Sequence, residues 1–305
     1  MMSSGSRLLL IGLRGSGKTS YLAALWHLIE AGELPTALLS SQLQPDRTYL
    51  NQIRESWLKF EEVGRTSLRG QEIASLLLRD ARTGANIDVT VPDLSGEFFR
   101  LQWATRRATR QYAAFAAESS GMLLFIHPAT IKTAPRIPLA AATLDLTGQL
   151  VHPSAISASA TDVPITGPYS TEWSSNLSST QVQLVELLQF VSHLRYETKS
   201  IRLAVIVSAW DLIRGPILPT SWLESHLPLL SQFLDANADT VPFRVFGISA
   251  LGGDLQKDMQ RLQDEAVPSR RIKVIDNKLE SHGDLTAPIR FLLDLDGDRT
   301  KPVEQ

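Results

Sequence analysis

The sequence predicts a three-layer α/β fold with a mostly parallel central sheet and one antiparallel edge hairpin. Short, wholly apolar runs of strand length recur along the chain, and amphipathic segments of helix length follow them. One further pair of strand-like segments flanks a turn sequence. We expect a single domain over residues 1–305, with a Ser/Thr/Pro-rich insertion at 128–180 and a flexible tail at 296–305.

The elements alternate in the order that a parallel sheet requires. Buried strands are expected at Arg7–Leu13, Met122–His127, Ile201–Ser208 and Phe243–Ile248. The hairpin is expected from Ile73–Arg79 and Ile87–Val91 around Thr83-Gly84-Ala85-Asn86. Apolar residues at helical spacing predict helices at Lys18–Glu30, Leu50–Phe60, Phe98–Glu118, Gln181–Leu194, Trp222–Leu234 and Ile289–Leu293.

Composition excludes several classes of function. The 30 Lys and Arg against 32 Asp and Glu leave a net charge of −2, so we expect no nucleic-acid partner and no binding to an anionic membrane. The chain has no cysteine, which excludes disulfides, thiolate metal sites and Cys nucleophiles. No apolar run approaches the roughly 18 residues of a spanning helix, so a soluble, cytoplasmic protein without membrane contact is expected.

A phosphate-binding loop is predicted by Gly12-Leu13-Arg14-Gly15-Ser16-Gly17-Lys18-Thr19, which fits G-x-x-x-x-G-K-[ST] between a strand and a helix. Gly12, Gly15, Ser16 and Gly17 let backbone N–H groups turn inward at a phosphate, with Ser20 in the helix that follows. Lys18 would contact the outer phosphates, and Thr19 would place a hydroxyl on Mg²⁺. Arg14 either stabilises charge on the transferred phosphoryl group or points to solvent or a partner.

A metal-binding Asp is expected at the end of a neighbouring strand. The pattern Asp-x-x-Gly occurs at Asp93, Asp145 and Asp294, and context favours Asp93, because an alternating strand precedes it and a helix follows it. Gly96 would let a backbone N–H approach the γ-phosphate. Together with the phosphate loop, Asp93-Leu94-Ser95-Gly96-Glu97 resembles the second switch of the translation-factor and Ras-like class of P-loop GTPases.

This resemblance implies a Ras-like P-loop NTPase fold with GTP or GDP as ligand and Mg²⁺ as cofactor. Glu97 stands where many members carry the glutamine that orients the attacking water, so slow intrinsic hydrolysis is expected. In the first switch a Thr hydroxyl completes the Mg²⁺ shell of such proteins; Thr66 lies in the matching neighbourhood, and Ser67 and Thr48 compete with it. The predicted catalytic residues are Lys18, Glu97 and Arg14, and the predicted metal residues are Thr19, Asp93 and Thr66.

The base-recognition motif Asn-Lys-x-Asp of this class is degenerate here. Ser208-Ala209-Trp210-Asp211 keeps the Asp, whose oxygens could accept hydrogen bonds from guanine, but lacks the Asn and the Lys. Asp211 is alternatively an N-cap of a short helical turn. Ser249-Ala250-Leu251 follows a buried strand and is similar to the loop of this class whose backbone amide contacts guanine O6.

More closely, the phosphate loop, the Asp-x-x-Gly-Glu switch, the Ser-x-x-Asp variant and Pro288-Ile289-Arg290-Phe291 resemble the bacterial double-GTPase group of conflict and defence systems. The resemblance implies a GTP-dependent switch with a protein partner, a second GTPase-like subunit. Arg100, Arg106, Arg107 and Arg110 and the insertion 128–180 are the expected contact surfaces, unless the arginines form a merely solvated face. Two alternatives stay open: an ATP-using P-loop NTPase, and a pseudo-GTPase scaffold without turnover.

Overall fold

One mixed sheet runs through the middle of the protein. The computed structural model describes residues 5–41, 46–61, 72–133, 178–195, 200–277 and 281–295. Within these ranges the strands are β1 Ser6–Gly12, β2 Leu38–Ser40, β3 Glu72–Asp80, β4 Asn86–Asp93, β5 Gly121–Ile126, β6 Arg202–Val207, β7 Phe243–Ser249, β8 Lys273–Ile275 and β9 Ser281–His282. The helices are α1 Lys18–Ala31, α2 Thr48–Leu58, α3 Gly96–Thr105, α4 Arg110–Ala117, α5 Thr180–Leu194, α6 Pro219–His226, α7 Pro228–Ala236, α8 Met259–Gln263 and α9 Ala287–Leu292.

The strands lie in the order β2-β3-β4-β1-β5-β6-β7-β8-β9. The five central strands, β4 to β7, are mutually parallel, whereas β2 and β3 on one side and β8 and β9 on the other pair antiparallel. The predicted hairpin is therefore confirmed as β3–β4, and a second antiparallel edge, β8–β9, was not predicted. Because the central strands are parallel, their carboxyl ends meet at one edge of the sheet, where ligands of such folds bind.

Two apolar layers cover the two faces of this sheet. Leu8 and Leu10 of β1 pack into the cluster that contains α1 and α2, while Leu9 and Ile11 pack into the cluster that contains α3 to α7. This alternation along one strand is what a sheet buried on both faces requires. The predicted three-layer α/β fold is confirmed.

Two predicted helices are each divided in two. The segment Phe98–Glu118 breaks after α3, where Arg106 takes a left-handed φ of 55°, and restarts at Thr109, whose Oγ accepts a hydrogen bond from the Tyr112 amide. Trp222–Leu234 breaks at Leu227, because Pro228 lacks the N–H that a continuous helix needs and instead begins α7.

The break in the first segment also changes which of its residues are buried. A helical wheel drawn over one continuous helix predicts an apolar face of Phe98, Leu101, Ala108, Tyr112 and Phe115. Leu101 is instead 53% exposed, whereas Phe99 and Trp103 are buried. The strands β2, β8 and β9 and the short helix α8 were not predicted. Most of the insertion (134–177), the tail (296–305) and the predicted switch residue Thr66 lie outside the described residues.

A membrane-crossing helix was not expected from the sequence. Across the ranges that the structure describes, no helix has both the length and the apolar character needed to span a bilayer.

Candidate nucleotide-binding site

The phosphate loop connects β1 to α1 at the carboxyl edge of the sheet. Gly15 and Gly17 have φ angles of 71° and 90°, a left-handed conformation that favours glycine over other residues. Gly17 is the N-cap of α1, and no acidic residue lies in the first turn of that helix. The helix therefore carries no carboxylate of its own in the turn that would face a bound anion.

Lys18 folds back over the loop that precedes it. Its Nζ donates to the carbonyl oxygens of Gly12, at 2.8 Å, and Leu13, at 3.3 Å, and lies 3.4 Å from the Oγ of Ser16. Burial lowers the pKa of Lys18 to about 8, while the nearby Asp93 carboxylate acts in the opposite direction. Lys18 thus places a cation within the loop. A bound phosphate would replace the loop carbonyls as the hydrogen-bond partner of its ammonium group.

Asp93 ends β4 directly beside the start of α1. The Thr19 hydroxyl donates to Asp93 Oδ2 at 3.0 Å, and the Tyr49 hydroxyl of α2 donates to the same oxygen. Asp93 is fully buried. Two sequence-predicted metal residues, Thr19 and Asp93, are therefore brought together, and the structure adds Tyr49, which the sequence did not indicate.

Mg²⁺ prefers oxygen ligands and usually keeps waters or phosphate oxygens in its shell. Among the described residues, no group of three or more acidic or histidine side chains that could hold an ion occurs. The pair Thr19 and Asp93 supplies a hydroxyl and a buried carboxylate next to the phosphate loop. Two protein oxygens are enough for a Mg²⁺ ion whose remaining ligands are phosphate oxygens of a nucleotide and waters.

Gly96, at the start of α3, touches the phosphate loop. A Cβ added at Gly96 would lie 2.7 Å from the carbonyl carbon of Leu13 and nearer still to the backbone N and Cα of Arg14. Ser95 caps α3 through its Oγ, which accepts from the Phe98 amide at 3.2 Å. The absence of a side chain at residue 96 is what allows the Asp-x-x-Gly segment to lie against the loop.

Glu97 lies between two arginines. Its Oε2 is 2.6 Å from Arg100 Nε, and its Oε1 is 3.5 Å from Arg14 Nη1. The hydrogen bond from Arg100 has the largest effect on the Glu97 carboxyl, and together with the charge of Arg14 it lowers the pKa of this group. Glu97 is therefore ionised near neutral pH. The three side chains border a cavity of about 460 Å³ that Lys132 of the loop after β5 also lines.

A second cavity, of about 240 Å³, begins at the phosphate loop and extends to the ends of β6 and β7. It is lined by Gly17, Ser20, His127, Ser208, Ala209, Asp211, Leu212, Ala250, Leu251, Gly253, Asp254 and Leu255. The cavity therefore joins the predicted phosphate and base motifs in one space. Half-burial of His127 lowers the pKa of its imidazole, with Asp211 acting in the opposite direction.

Asp211 is held by the loop after β7 rather than by a helix cap. The Ser249 hydroxyl donates to Asp211 Oδ1 and accepts from the Gly252 amide at 3.0 Å. Asp211 lies within a short 3₁₀ turn, Trp210–Leu212, whose N-cap is Ala209. Trp210 is buried against Gly247 of β7, where any Cβ would overlap its ring, and it is not among the residues that line the cavity.

The loop Ser249-Ala250 is also held from the side of α2. The Trp57 indole Nε1 donates to the Ala250 carbonyl at 3.0 Å, and the fully buried Trp57 ring contacts the His27 ring and the Arg271 guanidinium. Sequence reasoning missed this role, because Leu50, Ile53 and Trp57 follow the helical spacing of ordinary core residues. The only available signal was a polar indole N–H at a core position.

The four arginines predicted as a contact surface do not form one stripe. Arg100 binds Glu97, and Arg106 pairs with Glu186 of α5 and covers the Trp103 ring at 4.4 Å. Arg107, in the break between α3 and α4, and Arg110, the first residue of α4, are exposed. Thr48, the alternative to Thr66, is exposed at the first residue of α2.

The chain matches one family model and is similar to several solved structures. A family model described as Double-GTPase 1 matches residues 9–292. The chain is similar to a bacterial selenocysteine-specific elongation factor EF-Sec (10% identity, TM-score 0.35, covering 85% of this chain and 28% of that one). It is also similar to Methanosarcina barkeri Roco2 RocCORdC bound to GDP (13%, 0.34, 90% and 53%).

A third similar structure is the signal recognition particle receptor SRb-GTP/SRX complex from Chaetomium thermophilum (14% identity, TM-score 0.37, covering 86% of this chain and 97% of that one). The chain thus spans less than a third of the elongation factor chain and about half of the Roco2 chain. A comparison with curated proteins finds no match.

Proposed function

This chain belongs to the Double-GTPase 1 family, and we propose that this GTP-binding P-loop protein is a slowly hydrolysing molecular switch in a bacterial signalling or defence system. The observation that carries the proposal is the cavity that joins Gly17 and Ser20 of the phosphate loop to Asp211 and Ala250. One ligand with a polyphosphate at one end and a base at the other matches this arrangement.

At the phosphate end, backbone amides of residues 15–19 and the start of α1 bind the anion, and Lys18 transfers its hydrogen bonds from loop carbonyls to phosphate oxygens. Thr19 and Asp93 hold Mg²⁺, with a switch threonine such as Thr66 completing the set. When bound, the ion neutralises charge on the phosphate oxygens. The amide of Gly96 would donate a hydrogen bond to the γ-phosphate of GTP and lose it after hydrolysis, because this glycine already lies against the phosphate loop.

At the base end, Asp211 accepts hydrogen bonds from the guanine N1–H and N2–H₂ groups, and Ser249 orients its carboxylate. The backbone at Ala250 faces the guanine oxygen. An adenine base does not offer the N1–H and N2–H₂ donors that this carboxylate would pair with, and a base that covers the carboxylate without pairing with it removes water from a charged acceptor. This supports GTP over the alternative of an ATP-using protein.

Slow turnover is supported by the state of Glu97. An ionised carboxylate beside a γ-phosphate would repel it, and this carboxylate is paired with Arg100 and Arg14 rather than left to orient an attacking water. The same observation favours a second candidate, a nucleotide-stabilised scaffold without turnover. Arg14 is the cation that would act on the phosphoryl group if Glu97 released it.

A protein partner, a second GTPase-like subunit in the cytoplasm, completes the proposal. Arg107 and Arg110 are exposed after the end of α3, the helix that begins in the Asp-x-x-Gly segment, where a nucleotide-dependent change is expected. The insertion 128–180 offers a further contact surface. Recovery of one partner protein with GTP-loaded chain but not with GDP-loaded chain supports the switch, and equal recovery supports the scaffold.

The base preference is tested by titrating fluorescent GTP and ATP analogues into the whole chain with Mg²⁺. We expect at least about tenfold tighter binding of the GTP analogue, equivalent to one lost hydrogen bond to a charged group. Asp211→Asn is the matched variant: it should weaken guanine binding and relatively favour a xanthine nucleotide, whose O2 needs a donor. Equal affinity for both analogues, or a base preference unchanged in Asp211→Asn, contradicts the guanine assignment.

A further inference from the structure

Tyr49 is an unassigned residue at the metal end of the site. It is the second residue of α2, and its hydroxyl donates to Asp93 Oδ2, the oxygen that also accepts from Thr19. We propose that Tyr49 is a positioning residue that orients the Asp93 carboxylate for Mg²⁺ and thereby sets how strongly Mg²⁺ tightens nucleotide binding. The inference rests on the proposed function and extends it to a residue of the segment before the hairpin.

The hydrogen-bond directions at Asp93 are those that a metal site needs. Thr19 donates its proton to the carboxylate, which leaves the lone pairs of its oxygen for a cation. Tyr49 donates to the same carboxylate oxygen, so both hydroxyls restrict rotation of the carboxylate about its terminal bond. A metal ligand whose orientation is fixed by a second hydrogen bond binds more tightly than one that rotates.

Helix α2 is itself fixed, so the position of Tyr49 is built into the fold. Asn51 accepts from the Trp26 indole of α1 at 2.9 Å, and Arg47 pairs with Glu30 of α1 at 3.0 Å. Two turns further along, Trp57 donates to the carbonyl of Ala250. One helix therefore contacts the metal end of the site through Tyr49 and the base loop through Trp57.

The test measures binding of a fluorescent GDP analogue to the full chain, once with EDTA and once with millimolar Mg²⁺. Tyr49→Phe keeps the ring and removes only the hydroxyl. We expect wild type and Tyr49→Phe to bind equally in EDTA, and the tightening by Mg²⁺ to fall about tenfold in the variant, the factor for a hydrogen bond to a charged group. The midpoint of a Mg²⁺ titration should rise by the same factor.

Tyr21→Phe is the matched control. It also removes a buried tyrosine hydroxyl, which donates to the Leu285 carbonyl at 2.8 Å, but this bond does not involve Asp93. We expect Tyr21→Phe to lower stability and to leave the Mg²⁺ effect unchanged. The affinities with and without Mg²⁺ are measured on the same preparation of each variant. An unfolded fraction therefore affects both values equally and cancels from their ratio.

An unchanged Mg²⁺ effect in Tyr49→Phe would overturn the inference about Tyr49 but not the proposed function, because the wild type would still bind a guanine nucleotide. A larger Mg²⁺ effect also overturns it, since Tyr49 would then compete with the ion for Asp93. If the wild type binds no GDP, or binds it without any Mg²⁺ effect, the proposed function fails and the inference fails with it.

Discussion

Replacement of Gly96 by alanine tests whether close contact between the Asp-x-x-Gly segment and the phosphate loop is needed for nucleotide binding. The added Cβ would lie 2.7 Å from the Leu13 carbonyl carbon, whereas ordinary contact begins near 3.4 Å. The loop and α3 must therefore separate by about 0.7 Å for this atom alone, and by more for the backbone of Arg14. The obstacle is main chain, which cannot rotate away as a side chain would.

Overpacking of this kind costs about 1–3 kcal/mol when neighbouring atoms must shift. Gly96 does not have a positive φ, so no backbone strain is added to this steric term. Because the displaced atoms belong to the phosphate loop, we expect the loss to appear in nucleotide affinity as well as in the free energy of unfolding. Affinity for a fluorescent GDP analogue should fall by at least tenfold.

Gly84→Ala is the matched control for this change. Gly84 lies in the β3–β4 turn with a φ of 71° and no atom within 4 Å of an added Cβ, so its replacement adds backbone strain of about 1–2 kcal/mol and no steric overlap. Urea unfolding and GDP titration of both variants separate the two effects. If Gly96→Ala binds GDP as tightly as the wild type does, the contact has no part in nucleotide binding.

Two further predictions concern ionisable groups near the site. His127 Nδ1 accepts from the Ala129 amide at 3.2 Å, and burial lowers the pKa of the imidazole below 6.5. The contribution of His127 to the free energy of unfolding should therefore be complete above pH 6.5 and be lost as the pH falls towards the lower pKa of the folded state. Urea unfolding at several pH values measures this dependence, which His127→Asn should lack. Glu97→Gln removes the carboxylate charge from beside the phosphates, and we expect GTP hydrolysis in single-turnover assays to become several-fold faster. An unchanged rate would show that the charge of Glu97 does not limit hydrolysis, and parallel pH curves would show that His127 does not titrate in the folding transition.

Local patterns were sufficient to predict the central strands and the phosphate loop, because each depends on residues adjacent in sequence. The wholly apolar runs have the length of buried strands and are too short for helices, and Gly15, Gly17 and Lys18 act through a single turn of backbone. Helix breaks were harder to predict. Thr109 and Pro228 are both known boundary residues, but apolar spacing that continued across them favoured one helix.

Contacts between distant segments could not be predicted from one sequence. Tyr49 and Asp93 are 44 residues apart, and Trp57 and Ala250 are 193 apart. Their pairing depends on how α2 packs on α1 and on where the sheet brings β4 and β7, which no local spacing encodes. The same holds for Glu97 and Arg14, for which the motifs predict separate roles, whereas the fold brings the two side chains together as an ion pair.

The departures from Asn-Lys-x-Asp have physical consequences for base recognition. Ser208 lies against Gly17, where an added Cβ would be 3.0 Å from its own, and its Oγ donates to the Ile126 carbonyl at 3.1 Å, so a small residue here keeps β6 close to the phosphate loop. Ala209 has a left-handed φ of 46° and lines the cavity with a methyl group where the stem of a lysine would cover the base. Since this apolar cover is missing and Trp210 is buried against Gly247, the proposed recognition of the base would depend mainly on the hydrogen bonds of Asp211. We therefore expect Asp211→Asn to remove most of the preference for guanine rather than part of it.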